Sequence, residues 1–315
     1  MAVLNAIQSV LSIVFIIALG YFLTAKGWFD ENISRLFSRL VVTVSLPAMM
    51  ISNLLTTFDR SKLSHSGKGL LIPFMTMAVC YLVSMGIARL IKVRPERRGI
   101  FQAMFFASNT IFIGLPVNLA LFGEKSVPYV LLYYAANTTM FWTIGIYGIS
   151  KDGSAGHGGI FNLATLKRIF SPPLVGFLAG IALVLLDVKL PEFIMDSCKY
   201  LGNMTTPLSL LFIGITFYYI DFKSIRVDAD MLAIMFGRFI LSPALVFLVA
   251  LPMHIPSLML KVFVIQSAMP IITQSAIVTK AYNGDYKYAT VMVTVSNIIS
   301  MVFIPVYMGL LSMMK

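Results

Sequence analysis

Ten long apolar runs, separated by short polar breaks, constrain this 315-residue chain more than any other feature of its sequence. A helix needs about 20 apolar residues to cross a lipid bilayer. Only 12% of the residues are charged and the mean hydropathy is +0.88, whereas a soluble protein has about twice that charged fraction. The sequence therefore predicts an all-α polytopic membrane protein surrounded by the lipid bilayer. The predicted spans, numbered 1 to 10 in chain order, cover residues 4–24, 36–57, 70–91, 100–122, 127–149, 172–186, 194–219, 231–251, 259–282 and 288–313.

The basic residues predict how the spans are oriented. Loops after the odd-numbered spans carry 15 Lys and Arg residues, while the other loops and the C-terminus carry 6. Because short basic loops stay in the cytoplasm, we expect a multi-pass protein of the plasma membrane with both termini outside. The basic cluster RLIKVRPERR abuts span 3 and lacks interleaved aromatic residues. The preference of basic loops for the cytoplasm explains this cluster better than nucleic-acid binding does, so no nucleic-acid partner is expected.

The two halves of the chain resemble each other. Pro47 in span 2 and Pro207 in span 7 both follow small hydroxyl residues and lie 160 residues apart, while Gly123 and Gly284 lie 161 apart. Because each half holds five spans, the second half crosses the membrane in the opposite sense, as in the inverted repeats of transporters. The predicted units are a first repeat, a cytoplasmic linker and a second repeat, at residues 1–150, 151–171 and 172–315.

Spans 4 and 9 each contain a helix breaker among polar residues. SNTIFIGLPVN in span 4 contains Pro116, and SAMPIITQSAI in span 9 contains Pro270. A break inside the membrane frees backbone N–H and C=O groups, which is tolerated only where they line a cavity or meet protein or water. The half-helix N-termini at such a break carry partial positive charge and free donors, which suit a carboxylate. The two prolines are therefore predicted to mark an anion site.

Five segments, in this order and at these separations, carry a resemblance to a known family: SLPAMM, SNTIFIGLP, FSPPLVGFLAGI, NMTTPLSLLFIGI and SAMPIITQSAIVTKAYNGD. They resemble the auxin efflux carrier family of membrane transporters, which includes plant auxin exporters and bacterial carriers of malate or malonate. The resemblance implies ten spans, of which spans 4 and 9 unwind and cross. It also implies a scaffold of spans 1, 2, 6 and 7 and a mobile transport domain of spans 3–5 and 8–10. The chain lacks the very long cytoplasmic loop of many plant members, which counts against kinase-type regulation and against auxin itself.

Polar residues beside the two breaks are the predicted substrate ligands. With Pro116 and Pro270, the predicted set comprises Asn109, Thr110, Asn118, Gln266, Ser267, Thr273 and Gln274. The alternative is that these amides and hydroxyls only join helices, at about 1–2 kcal/mol per bond. The family resemblance adds Asn137, in AANTTMFWT of span 5, as an amide placed against the substrate. Weaker supporting roles are predicted on the scaffold for Pro47, Ser52, Pro207 and Ser209.

Charged residues inside the spans restrict the chemistry. None of the 13 Asp and Glu residues falls mid-span, which disfavours a classical proton or sodium antiporter but leaves room for sodium held by carbonyls and hydroxyls. Arg238 lies well inside span 8, and two interpretations stay open: a packing residue that snorkels, or an electrostatic lure for anions. The three histidines show no metal-ligand spacing. No catalytic grouping is evident, so we expect no metal, no cofactor and no enzymatic activity.

The sequence thus predicts a carrier for a small organic anion, such as malate, malonate or an auxin-like acid, working by alternating access at the crossover of spans 4 and 9. Efflux driven by the membrane potential, or anion exchange, is the simplest coupling, since an inside-negative potential favours anion exit by about 2.3 kcal/mol per charge per 100 mV. Two alternatives stay open. One is a sodium-coupled symporter of the bile-acid type, and the other is a receptor or scaffold that binds without transport. A homodimer is compatible with the sequence, which does not fix the oligomeric state.

Overall fold

The structure, a computed structural model, describes residues 2–58, 68–152, 172–219 and 227–312. Within these ranges all regular structure is helical, apart from one isolated antiparallel bridge between Ser108 and Ile271. The predicted all-α class is therefore confirmed. The predicted linker lies outside the described residues except for Lys151 and Asp152, which end a helix.

Helices occupy all ten predicted spans. Spans 1, 3, 6 and 10 each hold one unbroken helix, at Ala2–Ala25, Leu71–Leu90, Pro172–Leu185 and Tyr286–Ser312. Spans 2, 5, 7 and 8 hold two helices each. In span 2 these are Glu31–Leu40 and Leu46–Thr57, and in span 5 they are Val127–Met140 and Ile146–Asp152. In span 7 they are Glu192–Asn203 and Thr205–Tyr218, and in span 8 they are Ala229–Phe236 and Ser242–Ala250. Spans 4 and 9 differ from these, because an extended segment separates their helices.

Wide π-helical turns join the helix pairs of spans 2, 5 and 8, and another precedes the second helix of span 4. Those at Val41–Ser45, Thr110–Gly114 and Gly237–Leu241 share one feature, which is a proline at the second position of the next helix. A proline lacks the N–H group, and its ring crowds the carbonyl of the residue four positions earlier. The preceding turn therefore widens, and the helix continues without a sharp break.

The helices have the length and composition of membrane spans. Five of those described are long and apolar enough to cross a bilayer, at Glu31–Thr56, Leu71–Leu90, Glu192–Tyr218, Ala229–Met253 and Tyr286–Leu311. Large apolar side chains also cover the outside of the molecule. Phe15, Leu82, Leu232 and Val302, on four different spans, are each more than half exposed. Such a surface suits contact with lipid, as the sequence predicts.

Glycines bring span 1 against span 7 and span 6 against span 2. A Cβ atom on Gly20 would come within 2.6 Å of the Leu211 carbonyl oxygen, and Gly214 on span 7 meets the backbone of span 1. In the second pair, a Cβ on Gly180 would come within 2.6 Å of the Leu54 side chain. In lipid, helices associate by such close packing because no hydrophobic driving force acts between them. These four spans therefore form two tightly packed pairs.

Substitution of Gly214 tests this packing. In Gly214→Ala the new methyl group would collide with the Ile17 carbonyl, so we expect a loss of about 1–3 kcal/mol in stability. Thermal unfolding of the purified protein in detergent measures the effect. Gly86→Ala is the matched control, because no atom lies within 4 Å of the position of its Cβ. Equal unfolding temperatures for the two variants would contradict the account.

Candidate functional site

Span 4 breaks at an asparagine cap. The helix Arg98–Phe106 ends, an extended segment follows, and the chain becomes helical again at Thr110. The Asn109 side chain caps the new helix, since its Oδ1 accepts a hydrogen bond from the Phe112 N–H at 3.2 Å. Pro116 then follows the wide turn Thr110–Gly114, which accommodates its ring and its missing N–H. The sequence NTIFIGLP thus encodes the restart of the helix.

Span 9 breaks in a similar place. The helix Ser257–Ser267 ends before the extended residues around Pro270, and helix Gln274–Ala281 follows. Pro270 lies within the unwound segment, whereas Pro116 lies beyond the corresponding segment of span 4. The two prolines therefore mark the same region but have different local roles.

The two unwound segments hydrogen-bond to each other. The Asn109 N–H donates to the Pro270 carbonyl at 2.7 Å, and the Ile272 N–H donates to the Ala107 carbonyl at 3.3 Å. This antiparallel pairing brings residues 107–109 beside residues 270–272. Backbone groups freed within a membrane need such partners, because no bulk water is available to them. Each unwound segment therefore supplies hydrogen-bond partners for some of the backbone groups freed in the other.

Neighbouring spans hold the paired segments by side-chain hydrogen bonds. Asn137 on span 5 accepts from the Ser108 N–H at 2.9 Å and donates to the Ser108 carbonyl at 3.0 Å. Ser296 on span 10 accepts from the Ile271 N–H at 3.1 Å. The sequence predicts Asn137 against the substrate, but in the structure its fully buried amide binds the Ser108 backbone. It therefore positions the unwound segment.

A cavity of about 150 Å³ opens beside the pairing. Asn109, Thr110 and Gln274, three of the predicted ligands, line it. Thr110 and Gln274 are also the first residues of the two helices that restart after the breaks. The remaining lining residues come from spans 2, 4, 5, 6 and 9, and are Val42, Leu46, Ser108, Ile111, Phe112, Tyr134, Thr138, Trp142, Pro173 and Ile272. None of the lining residues is charged.

Asn109 joins the two halves of the site. Its Nδ2 donates to the Thr273 hydroxyl at 3.0 Å, while its Oδ1 caps the helix of span 4. Only 4% of Asn109 is exposed, at the edge of the cavity. Thr273 is also a predicted ligand, but it does not line the cavity and contacts it only through Asn109.

Three other predicted ligands are buried away from the cavity. Gln266 donates to the Thr110 carbonyl at 3.2 Å, Asn118 donates to the Gly114 carbonyl at 2.7 Å, and the Ser267 hydroxyl donates to the Val264 carbonyl at 2.7 Å. The amide oxygens of Gln266 and Asn118 have no hydrogen-bond partner among the described residues. Gln266 thus connects span 9 to span 4, whereas Asn118 and Ser267 bond to carbonyls of their own spans.

The supporting residues predicted on spans 2 and 7 do not line the cavity either. Pro47 packs against Gly176 of span 6, and the Ser52 hydroxyl donates to its own helix at the Met49 carbonyl. Ser209 is fully buried, and its hydroxyl has no partner among the described residues. Pro207 lies at the third position of the helix Thr205–Tyr218.

Arg238 is neither the snorkelling residue nor the anion lure that the sequence left open. The side chain is fully buried and donates to backbone carbonyls of the two interrupted spans. The bonds reach Phe106 at 2.7 Å, Ser267 at 2.6 Å and Met269 at 3.0 Å, with a longer one to Phe105 at 3.5 Å. It therefore neither snorkels to the membrane surface nor offers an exposed guanidinium as a lure for anions.

A known family of membrane proteins matches almost the whole chain. The sequence model of a family described as "membrane transport protein", that of the auxin efflux carriers, matches residues 5–308. The chain belongs to this family. The resemblance drawn from the five sequence segments is thereby confirmed.

Curated relatives of this auxin efflux carrier family member are transporters whose substrates are not named. An "uncharacterized transporter" of Methanothermobacter thermautotrophicus is 25% identical over 98% of this chain and 99% of its own length. One of Methanocaldococcus jannaschii is 24% identical over 95% and 96%. The uncharacterized transporter YfdV of Escherichia coli K12 is 25% identical over 92% of each chain. The protein is therefore a multi-pass member of a transporter family.

Two polar residues of span 10 were not predicted from the sequence. Ser296 holds the unwound segment of span 9, and Asn297 lies 160 residues after Asn137, the same offset that separates Pro47 from Pro207. Asn297 lines a second cavity, of about 50 Å³, between spans 1, 4, 7 and 10. Its buried Oδ1 has no partner among the described residues. Extending the repeat to span 10 would have found Asn297 but not Ser296, whose counterpart at the same offset is Ala136.

A carboxylate caps the N-terminal end of span 4. Asp152, at the end of span 5, accepts a hydrogen bond from the Ile100 N–H at 2.8 Å, in the first turn of the helix Arg98–Phe106. Burial raises the pKa of Asp152 to about 6, although the backbone N–H bonds and Arg98 act to lower the pKa. The folded protein therefore holds this proton more tightly than the unfolded chain, in which the pKa of Asp is 3.8.

This raised pKa predicts a pH-dependent stability. The contribution of Asp152 is most favourable below pH 3.8, is lost as the pH rises to about 6, and is constant above that. Asp152→Asn keeps an oxygen acceptor for Ile100 without the titration. We therefore expect the stability of this variant relative to wild type to increase from pH 4 to about pH 6 and then level off, measured by thermal unfolding in detergent.

Asp196→Asn, at a half-exposed position on span 7, is the matched control for the replacement of one aspartate by asparagine. A constant difference between Asp152→Asn and wild type over this range would contradict the assigned shift.

Proposed function

We propose that this protein is a secondary carrier for small carboxylates that works by alternating access around the paired breaks of spans 4 and 9. The observation that carries the proposal is the cavity beside the pairing, where two helices begin. Thr110 and Gln274 open these helices and line the cavity. The first turn of a helix presents free N–H donors and about half a positive elementary charge, which favours a carboxylate.

The polar side chains around the cavity fit the same ligand class. Ser108, Asn109, Thr110, Thr138 and Gln274 offer hydroxyl and amide donors. No acidic side chain lines the cavity, so no fixed negative charge opposes an anion there. Its volume of about 150 Å³ suits an acid of about three or four carbon atoms, since one water in the liquid takes about 30 Å³. Malate and malonate are therefore the first substrates to test.

Alternating access requires two groups of spans that move against each other. The cavity lies between spans 2 and 6, through Val42, Leu46 and Pro173, and the interrupted spans 4 and 9. In the proposed division, spans 1, 2, 6 and 7 form the scaffold, and spans 3–5 and 8–10 carry the substrate past it. The glycine-mediated packing of span 1 on span 7 and of span 6 on span 2 supports a rigid scaffold.

Repeated contacts support the inverted five-span halves on which this mechanism depends. Gly20 and Gly180 lie 160 residues apart and make equivalent close approaches, to span 7 and to span 2. Asn137 and Asn297 share that offset on spans 5 and 10. We propose that the halves are residues 1–150 and 172–315, with both termini outside the plasma membrane. Matching contacts in two halves of opposite orientation provide the near-symmetry from which inward-open and outward-open states arise.

The direction of transport follows from charge. A divalent carboxylate leaving a cell at 100 mV, inside negative, gains about 4.6 kcal/mol, at about 2.3 per charge. Efflux or exchange therefore needs no coupling ion. Counterflow of labelled malonate in proteoliposomes, at fixed potential, tests the proposal. Exchange that persists in sodium-free buffer is expected. Flux that requires sodium would favour the symporter, and saturable binding without counterflow would favour the receptor.

The substitution Asn109→Ala tests the site itself. It removes the cap on Phe112 and the bond to Thr273, so we expect malonate counterflow to fall at least about tenfold. Loss of one cap costs only about 1 kcal/mol, so the variant should still fold. Asn203→Ala, at an exposed position on span 7, is the matched control and should transport normally. Wild-type counterflow by Asn109→Ala would contradict the proposed site.

A further inference from the structure

Arg238 binds the ends of both interrupted helices. Phe105 and Phe106 end the helix Arg98–Phe106, and Ser267 ends the helix Ser257–Ser267. The guanidinium of Arg238 donates to the carbonyls of all three, and to Met269 in the unwound segment. Its side chain is completely enclosed. One cation therefore lies at the C-termini of the two half-helices that lead into the breaks.

The local sequence of span 8 makes this contact possible. Arg238 belongs to the π-helical turn Gly237–Leu241, just before Pro243. Gly237 packs against the Phe105 ring, which leaves no room for a side chain there. Span 8 can thus approach span 4 closely enough for the guanidinium to reach carbonyls of both spans.

The charges around the breaks do not balance. A helix C-terminus carries about half a negative charge and an N-terminus about half a positive charge. Arg238 therefore offsets the two C-termini, at Phe106 and Ser267. The two N-termini at Thr110 and Gln274 have no acidic side chain beside them among the residues that line the cavity. The sum leaves about one positive charge at the crossing, in a region of low dielectric where charges are poorly screened.

We propose that Arg238 sets the charge selectivity of the carrier. It is a positioning residue, because it contacts backbone carbonyls and does not reach the substrate cavity. By neutralising the C-terminal ends, it leaves the N-terminal ends as the uncompensated charge that a carboxylate meets. This inference rests on the proposed function and adds the source of its preference for anions.

An arginine suits this position better than a lysine. Its planar fork presents five donors in fixed directions, which can serve several carbonyls at once. Lysine would keep the charge but has three donors on one nitrogen. Glutamine would keep donors but lose the charge. These two substitutions therefore separate the effect of charge from the effect of geometry.

The test compares malonate with malonamide, its neutral counterpart of similar shape. The Kd of each ligand for purified protein in detergent is measured by thermal shift. Wild type should prefer malonate by about tenfold or more, Arg238→Lys should keep that preference within about threefold, and Arg238→Gln should bind the two ligands within about threefold of each other. The ratio within one variant is insensitive to how much of the sample is folded. A general loss of structure would therefore not reproduce this pattern.

The outcomes are distinct. If wild type neither binds malonate nor catalyses its counterflow, the proposed function fails, and the inference fails with it. If wild type prefers malonate and a folded Arg238→Gln keeps the full preference, only the inference is overturned. Should Arg238→Gln fail to fold, Arg238→Met takes its place and Arg238→Lys remains decisive. Loss of the preference in folded Arg238→Lys would overturn the role of charge, and its retention would support that role.

Discussion

The site depends on the backbone pairing between two unwound segments. Each break frees polar groups that lipid cannot satisfy, and the bonds from Asn109 to Pro270 and from Ile272 to Ala107 satisfy some of them. The pairing also fixes where the next helices begin, and so where their N-termini point. Neither break would be stable in this form without the other. The cavity, its donors and its electrostatics all follow from this mutual arrangement.

Side chains from neighbouring spans then hold the pairing from several directions. Asn137 binds both backbone groups of Ser108, Ser296 accepts from Ile271, and Arg238 binds the preceding helix ends. All three are buried polar residues, which are stable in a membrane only when they are hydrogen-bonded. Their bonds connect spans 5, 8 and 10 to spans 4 and 9. That coupling is what the proposed transport domain requires.

The sequence predicted the elements better than their contacts. Helix positions, the two breaks and the family follow from apolar run length, proline position and motif order, all of which are local signals. Asn109, Thr110 and Gln274, which the sequence predicts as ligands, line one cavity. The contacts of Asn137 and Arg238 were not predicted, because each bonds to backbone far away in the chain, 29 to 133 residues distant. A polar residue inside a span signals a need for a partner, but the sequence does not identify that partner.

Access to the cavity from both sides of the membrane is the central claim, and cysteine labelling measures it most directly. Cys80 and Cys198 are replaced by Ala, and Thr138 in the cavity wall is replaced by Cys. Right-side-out and inside-out vesicles are then treated with a membrane-impermeant thiol reagent, with and without malonate. The account predicts labelling from both sides, slowed by malonate in each case. Labelling from one side only, or at a rate unaffected by malonate, would contradict it.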